Sequence, residues 1–359
     1  MELFFDLVFV FVITQLTSAL AHHMTVGGAL EALLVLGLIW WMYDGYAWLT
    51  NSVAADNAAR RGLLLAAMAA FLLLALCVPR VFHGTGTAFG ATYLAVVLIH
   101  AGLYSRATAE SIVRAIAQIA RMNVLIALLI LAGGIAGGTA QYVLWVAAFL
   151  LAWLGSRFSL PDGFEVSPAH FVERHGLVVI VAIGESVVAV GIGARDLPVD
   201  VGLVLVASLG LALSACLWWA YFGVDDDVRV ERAIAEARPE ARPRLALEAF
   251  GYWHLLLLLG IIAIAAGEEH AIAAPGHALK LADALALGGG AAVFLVGDVL
   301  FRRTVGLGRP ALRLAAAGGA LLTVPLGTAV AASLQLAVLV AVIAGAFAAE
   351  SRAPYAPRR

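Results

Sequence analysis

Long apolar runs, broken at intervals by short charged or glycine-rich stretches, dominate the pattern along this chain. An α-helix rises about 1.5 Å per residue, so about 20 apolar residues cross the bilayer's hydrocarbon core, which is about 30 Å thick. Each sufficiently long run therefore predicts one membrane-spanning helix. The 12 predicted spans are residues 2–21, 28–50, 62–82, 87–105, 112–133, 139–157, 170–192, 199–222, 245–266, 281–301, 311–329 and 332–349.

Composition agrees with this pattern. Of the 359 residues, 63% are hydrophobic and 13% are charged, and the mean hydropathy is +0.98. These values predict an all-α, polytopic integral membrane protein. The net charge of -2 offers no basic excess for nucleic acid, so we expect as partners the lipid bilayer and a small ion or solute. Cys77 and Cys216 lie inside apolar runs, and we predict no disulfide framework, metal site, cofactor or catalytic motif.

Basic residues predict the orientation of the spans. If alternate loops lie on opposite sides, one side and the termini hold 18 arginines, and the other side holds only Arg80, Arg195 and Lys280. The positive-inside rule then places both termini in the cytoplasm and the protein in the cytoplasmic (inner) membrane. The break between the last two spans, near Ala331, is the least marked, because it has no charge and no strong turn signal.

Two similar span ends suggest an internal repeat. Spans 2 and 8 both end in Trp-Trp-x-Tyr, and the pairs Trp40-Trp41 and Trp218-Trp219 are 178 residues apart. Tryptophan is also typical of the membrane–water interface, which is the simpler interpretation of these pairs. The spacing favours two direct six-helix repeats about an axis along the membrane normal. The predicted parts are 1–158, the first repeat; 159–350, the second repeat, with a cytoplasmic loop at 223–244 that contains a short helix; and 351–359, a cytoplasmic tail.

Span 7, HFVERHGLVVIVAIGESVVAVG, carries the most unusual polar pattern. It begins with Glu173, Arg174 and His175, and it places Glu185 about 21 Å beyond Phe171, well inside the hydrocarbon slab. Charged side chains at such depth cost several kcal/mol unless they are paired or hydrated, so each is a functional candidate. We predict that Glu185 is a coupling or selectivity carboxylate. A structural ion pair with Arg174 is the alternative.

Other spans add polar groups at depth. Span 1, ELFFDLVFVFVITQLTSAL, has Asp6 and Gln15 on opposite faces, so protein should surround it. An ion pair of Arg121 with Asp44 or Glu185 would be structural, and a lone histidine is commonly a hydrogen-bonded contact between helices. The candidate residues of a polar path are Glu185, Asp6, Asp44, Glu173, Arg174, His175, Arg121, Gln15 and His254.

Two motifs carry a family resemblance. ELFFDLVFV at the start, and ERHGL followed by GES in the middle, resemble the bacterial low temperature requirement A (LtrA) family over nearly the whole chain. The resemblance implies a multi-span membrane protein linked to growth in the cold, and it supplies no mechanism.

A weaker similarity concerns span 1 alone. The stretch FFDLVF, followed by Ile13 and Thr14, is similar to the first helix of potassium channels marked by a Phe-Ser-Asp motif. That similarity implies that Asp6 anchors the helix and that Ile13 constricts a pore. Phe5 stands in place of the serine, and span 7 has ERHG where a second copy of the motif is expected.

These observations favour a transporter or channel for a small ion or solute, with a polar path lined by spans 1 and 7. One alternative is a membrane-embedded enzyme that acts on a lipid-linked substrate, with Glu185 or His175 as general base. Another is a scaffold or sensor without transport, in which Arg174 and Glu185 form a structural pair. The sequence leaves the oligomeric state open, and a homo-oligomer is one of the states it allows.

Overall fold

The computed structural model describes residues 2–52, 57–104, 110–158, 166–224, 226–308 and 310–352. Within these ranges the chain forms helices joined by short connections and contains no β-strand. The first eight helices are α1 (Glu2–His22), α2 (Val26–Ser52), α3 (Ala58–Cys77), α4 (Gly86–Tyr104), α5 (Glu110–Ala136), α6 (Gly138–Phe158), α7 (Pro168–Gly193) and α8 (Val201–Phe222).

The second half of the chain contains three short helices among its long ones. A π-helical turn, Leu247–Tyr252, joins α10 directly to α11. The helices are α9 (Asp226–Glu236), α10 (Arg242–Ala246), α11 (Trp253–Ala273), α12 (Leu281–Thr304), α13 (Pro310–Leu322), α14 (Val324–Ala329) and α15 (Ala332–Arg352). The short helix α9 lies in the loop 223–244, where the charged pattern predicts one.

The all-α membrane fold is confirmed: 12 helical segments of the described chain are long and apolar enough to cross a membrane. The weakly marked break near Ala331 separates two of these segments, since α14 ends at Ala329 and α15 begins at Ala332. One helix end differs from the prediction. The ninth segment continues to Ala273, beyond the predicted end at residue 266, so the sequence Gly-Glu-Glu-His belongs to the helix.

Local sequence signals explain several helix boundaries. The side chain of Asn57 accepts a hydrogen bond from the Arg60 amide at 2.9 Å and caps α3. Asp200 caps α8 in the same way, accepting from the Leu203 amide at 2.8 Å. Short polar residues at this position satisfy amides that have no partner inside the helix. These caps are the reason that both helices begin where they do.

Glycine allows α4 and α5 to pack closely. A Cβ atom at Gly90 would lie 2.5 Å from the Cα of Leu131, and one at Gly134 would lie 2.1 Å from the carbonyl oxygen of Gly86. Real Cβ atoms do not come so near to backbone, so these positions require glycine. Small residues at helix crossings are a common device in membrane proteins, because they let the backbones approach.

The chain divides into two compact units. The first comprises Met1–Ala19, Gly27–Val178 and Ile234–Leu247, and the second comprises Leu20–Val26, Val179–Ala233 and Glu248–Arg359. Helix α7 therefore contributes its first part to one unit and its remainder to the other. The direct repeat of 1–158 and 159–350 and the orientation of the termini stay predictions. Residues 353–359 of the predicted tail lie outside the described residues.

Candidate functional site

A buried ion pair joins α1 to α7 in the first unit. Arg174 Nη1 donates a hydrogen bond to Asp6 Oδ2 at 2.9 Å, and the two side chains are only 5% and 3% exposed. Tyr43 of α2 donates its hydroxyl to the other oxygen of the same carboxylate. Arg174 Nε is also buried, and it has no hydrogen-bond acceptor among the described residues. The guanidinium thus balances the charge of Asp6, and its Nε–H remains a donor without an acceptor among the described residues.

A second buried pair lies on the next residue of α7. His175 Nδ1 is 2.9 Å from the carbonyl oxygen of Phe171, and its Nε2 is 3.1 Å from Asp44 Oδ1 of α2. A carbonyl oxygen can only accept, so Nδ1 carries a hydrogen. The contact between Nε2 and Asp44 then needs a further proton, which resides either on the imidazole or on the carboxyl group. The pair therefore joins an ionisable group of α7 to one of α2 inside the first unit.

Aromatic rings enclose both pairs. The ring centroids of Phe9 and Trp40 lie 4.1 and 5.4 Å from that of Tyr43, and the ring of Phe171 lies 4.5 Å from His175. Such a wall excludes water and lowers the local dielectric constant, which strengthens charge pairing and makes any unpaired charge costly. The four ionisable groups Asp6, Asp44, Arg174 and His175, together with Tyr43, are called the first-unit cluster below.

The structure separates the remaining candidates from this cluster. Glu173 and Arg121 are exposed, and Gln15 is half-buried. Glu185 is 3% exposed and belongs to the second unit, as does the fully buried His254. The assignment of these residues to one continuous path stays a prediction.

His254 makes a contact that sequence reasoning did not foresee. Its Nδ1 is 3.1 Å from the carbonyl oxygen of Ala249, so this nitrogen carries the hydrogen, and its Nε2 accepts from the hydroxyl of Tyr221 at 2.8 Å. A neutral imidazole satisfies both bonds. Tyr221 and Tyr43 are the tyrosines of the two Trp-Trp-x-Tyr motifs, and each binds a buried ionisable side chain. The tyrosine of the Trp-Trp-x-Tyr motif, rather than its tryptophans, is therefore the sequence signal that marks a buried ionisable partner.

The two tryptophan pairs differ in exposure. Trp40 is fully buried, whereas Trp218 and Trp219 are 42% and 48% exposed. The surface position of the second pair fits the interface interpretation. Trp40 packs instead against the first-unit cluster, with its ring centroid 6.1 Å from that of His175.

The second unit contains its own buried ion network. Arg302 Nε donates to Asp298 Oδ1 at 3.1 Å, and a second nitrogen of Arg302 donates to Asp226. Arg313 donates to the other oxygen of Asp298 and, at 3.0 Å, to Glu350. These bonds connect the start of α9 with α12, α13 and α15. The sequence pattern assigns Arg302 and Arg313 to the arginines of the predicted cytoplasmic side, so it did not indicate this network.

No group of three or more His, Cys, Asp and Glu side chains in the described part of the chain is placed to hold a metal ion. The chemistry available in the first-unit cluster is instead that of hydrogen bonding, charge pairing and proton exchange. These are the properties by which a protein binds a polar solute or an ion inside the membrane.

Comparison with known proteins gives two matches. The family model described as bacterial low temperature requirement A protein (LtrA) matches residues 1–348. An uncharacterised protein of Rhizobium meliloti (strain 1021) is 28% identical over 315 residues, which cover 84% of this chain and 76% of that protein. The family match includes every residue of the first-unit cluster and extends through both units.

Proposed function

We propose that this multi-pass membrane protein, which belongs to the bacterial low temperature requirement A (LtrA) family, moves a small ion or solute through the cytoplasmic membrane. It acts as a transporter or channel, and its polar path follows α1, α2 and the first part of α7. The residues that carry the path are those of the first-unit cluster. Their positions inside apolar, membrane-length helices support this assignment.

The observation that carries the proposal is the buried contact between His175 Nε2 and Asp44 Oδ1, at 3.1 Å. A purely structural contact does not need ionisable groups, because apolar side chains of similar size pack without a desolvation penalty. Histidine is the side chain whose unperturbed proton exchange falls nearest to physiological pH, and apolar residues exchange no proton. The pair therefore supports transport that is coupled to, or gated by, protonation.

The adjacent ion pair supports binding of the transported species. Asp6 is held by Arg174 and Tyr43, so its charge is balanced and its position is fixed. The unused Nε of Arg174 offers a hydrogen-bond donor to an oxygen of a solute or of its hydration water. Ile13, which the channel similarity makes a constriction, is fully buried on the same helix.

Flux measurements test the proposal. The purified protein is reconstituted in liposomes and offered a panel of cations and anions, with and without an imposed pH gradient. We expect one of these species to move, and its flux to follow the pH gradient. Failure of every species to move under either condition, with correctly folded protein, overturns the proposal.

Two substitutions locate the path. Asp44→Asn removes the proton-holding pair and should abolish the dependence of flux on the pH gradient. Glu185→Gln tests the predicted coupling or selectivity carboxylate, and it should abolish or uncouple flux while the protein still inserts and folds. Glu231→Gln, at an exposed position of α9, is the control and should keep wild-type flux. Wild-type flux in the Asp44 variant contradicts the assigned path.

A further inference from the structure

Glu268 of α11 is fully buried, and no described residue makes a hydrogen bond of standard geometry to its carboxylate. Its exposed fraction is 0%, and neither carboxylate oxygen has a hydrogen-bond partner among the described residues. Burying an ionised carboxylate without a counter-ion or a hydrogen bond is strongly unfavourable, and such groups either bind a cation or become neutral. Glu268 is thus a buried group that requires a bound species.

A serine hydroxyl, a glycine and two apolar side chains lie near the Glu268 carboxylate. Ser186 of α7 lies beside the carboxylate, and its own hydroxyl is fully buried and makes no hydrogen bond of standard geometry within the described chain. Gly210 of α8 lies close to the carboxylate, because a Cβ atom at this position would be 3.5 Å from Glu268 Oε1. The side chains of Val190 and Ile272 lie within 3.3 Å of that same Cβ position. The site is therefore small, and it offers three oxygens.

The other ionisable groups on α11 and on the helices packed against it are mostly engaged elsewhere. Asp283 is bound to His270 at 2.8 Å, Tyr221 is bound to His254, and Asp298 and Glu350 are bound to arginines. None of these contacts involves Glu268. The remaining ionisable groups on these helices are Glu185 of α7, Cys216 of α8, Glu269 of α11, Arg303 of α12 and Arg352 of α15, together with His170, Glu173, Arg174 and His175 near the start of α7.

The number of oxygen ligands near Glu268 favours a proton over a metal cation. Hard metal cations in proteins surround themselves with about six or more oxygen ligands. The carboxylate and the Ser186 hydroxyl supply three. A proton needs only one carboxylate oxygen, and the resulting acid can then exchange a hydrogen bond with the serine hydroxyl.

We propose that Glu268, with Ser186 beside it, is a proton-binding site of the second unit and couples proton binding to transport. The coupling role rests on the transport function proposed above, whereas the binding of a proton does not. Sequence reasoning missed this site because Gly-Glu-Glu-His resembles the charged end of a span. The experiments below test the two parts of the proposal separately.

Labelling with dicyclohexylcarbodiimide tests whether Glu268 carries a proton. The reagent is apolar and reacts with protonated carboxyl groups: the acid's oxygen bonds to the central carbon, the proton moves to a nitrogen, and the adduct rearranges to a stable acylurea. We expect mass spectrometry of wild-type protein to find the adduct on Glu268, and its yield to fall as the pH is raised. Glu269→Gln should keep this adduct, and Glu268→Gln should lose it. Ser186→Ala should shift the pH of half-maximal labelling, whereas the exposed Ser208→Ala should leave it unchanged.

Two labelling results overturn proton binding. One is the absence of an adduct on Glu268 at every pH in protein whose exposed carboxyl groups are labelled. The other is protection of Glu268 by sodium or lithium at constant pH, which would identify a metal-cation site instead. Both results are obtained on wild-type protein, so neither depends on whether a variant folds.

Flux in liposomes tests the coupling role. Glu268→Gln resembles the protonated acid, so we expect it to exchange the transported species across the membrane while losing acceleration by a pH gradient. Glu269→Gln should behave as wild type. If the Glu268 variant still responds to the gradient as wild type does, the coupling role is wrong. If wild-type protein transports nothing, the proposed function fails, and the labelling result still decides whether Glu268 binds a proton.

Discussion

Removing the guanidinium of Arg174 is the substitution whose effect on stability follows most directly from the structure. In Arg174→Met the aliphatic part of the side chain is retained, and the charge that balances Asp6 is lost. Tyr43 still donates to the carboxylate, but a single hydroxyl does not replace a counter-ion at a site that is 3% exposed. The variant therefore leaves a buried carboxylate without its cation.

The expected cost is large for a single substitution. Breaking a buried ion pair by removal of one partner typically costs about 3–5 kcal/mol, whereas replacing both partners by neutral groups is often close to neutral. Asp6→Asn should be destabilising for the same reason, because it leaves the guanidinium buried without its anion. In the double variant both charges are absent. We expect it to cost about 1–2 kcal/mol, less than either single variant, because only hydrogen bonds are then lost.

The free energy of unfolding of the four proteins, measured in detergent or bilayers, forms a double-mutant cycle. The costs above imply a coupling energy of about 4 kcal/mol or more between Asp6 and Arg174, which exceeds the usual range of about 0.5–3 kcal/mol for residues in contact because each single variant leaves an unpaired buried charge. Glu173→Gln is the control, since Glu173 is the exposed neighbour of Arg174 on α7 and should change stability by less than about 0.5 kcal/mol. Additive effects of the two single variants, or equal effects of Arg174→Met and Glu173→Gln, would refute the reasoning.

Three further predictions concern stability and use the same measurement. Tyr43→Phe should cost about 1–2 kcal/mol, less than Arg174→Met, because it removes one hydrogen bond from a carboxylate that keeps its cation. Gly90→Ala should cost more than about 1 kcal/mol, because its Cβ would lie 2.5 Å from the backbone of α5. Gly102→Ala on the same helix is the control and should be neutral or stabilising, because nothing lies within 4 Å of its Cβ position. Arg313→Met should cost about 3–5 kcal/mol by leaving buried carboxylates unbalanced, and the exposed Arg303→Gln should have little effect; equal effects within either matched pair would contradict its explanation.

The membrane spans could be predicted from sequence because the bilayer restricts the backbone conformations that can cross it. Inside hydrocarbon every amide and carbonyl must be satisfied within the segment, so a long apolar run becomes a helix whatever its neighbours are. Even the break near Ala331, which has no charge, could be drawn correctly from the lengths of the two apolar runs beside it. The identity of the polar residues at depth was accessible for the same reason, because each is an exception to the apolar pattern.

The partners of those residues could not be predicted, because pairing depends on how the helices pack. Sequence spacing offered Glu185 as a partner for Arg174, since both lie on one face of α7, but Arg174 binds Asp6, which is 168 residues away. Glu268 was missed for a different reason. A pair of acidic residues after an apolar run is typical of a membrane boundary, and only the length of α11 shows that the helix continues.

In the Glu-Arg-His motif, helix geometry directs three successive ionisable side chains towards different neighbours. Successive residues on a helix are rotated by about 100°, so Glu173 faces outward while Arg174 reaches α1 and His175 reaches α2. Arginine stays charged, so the pair with Asp6 remains neutral overall at any physiological pH. His175 and Asp44 are both buried, and an ionised Asp44 without a cation or a hydrogen-bond donor would cost several kcal/mol. Under the proposed function, water, a cation or a rearrangement of helices that stabilises such an unpaired charge would open the polar path.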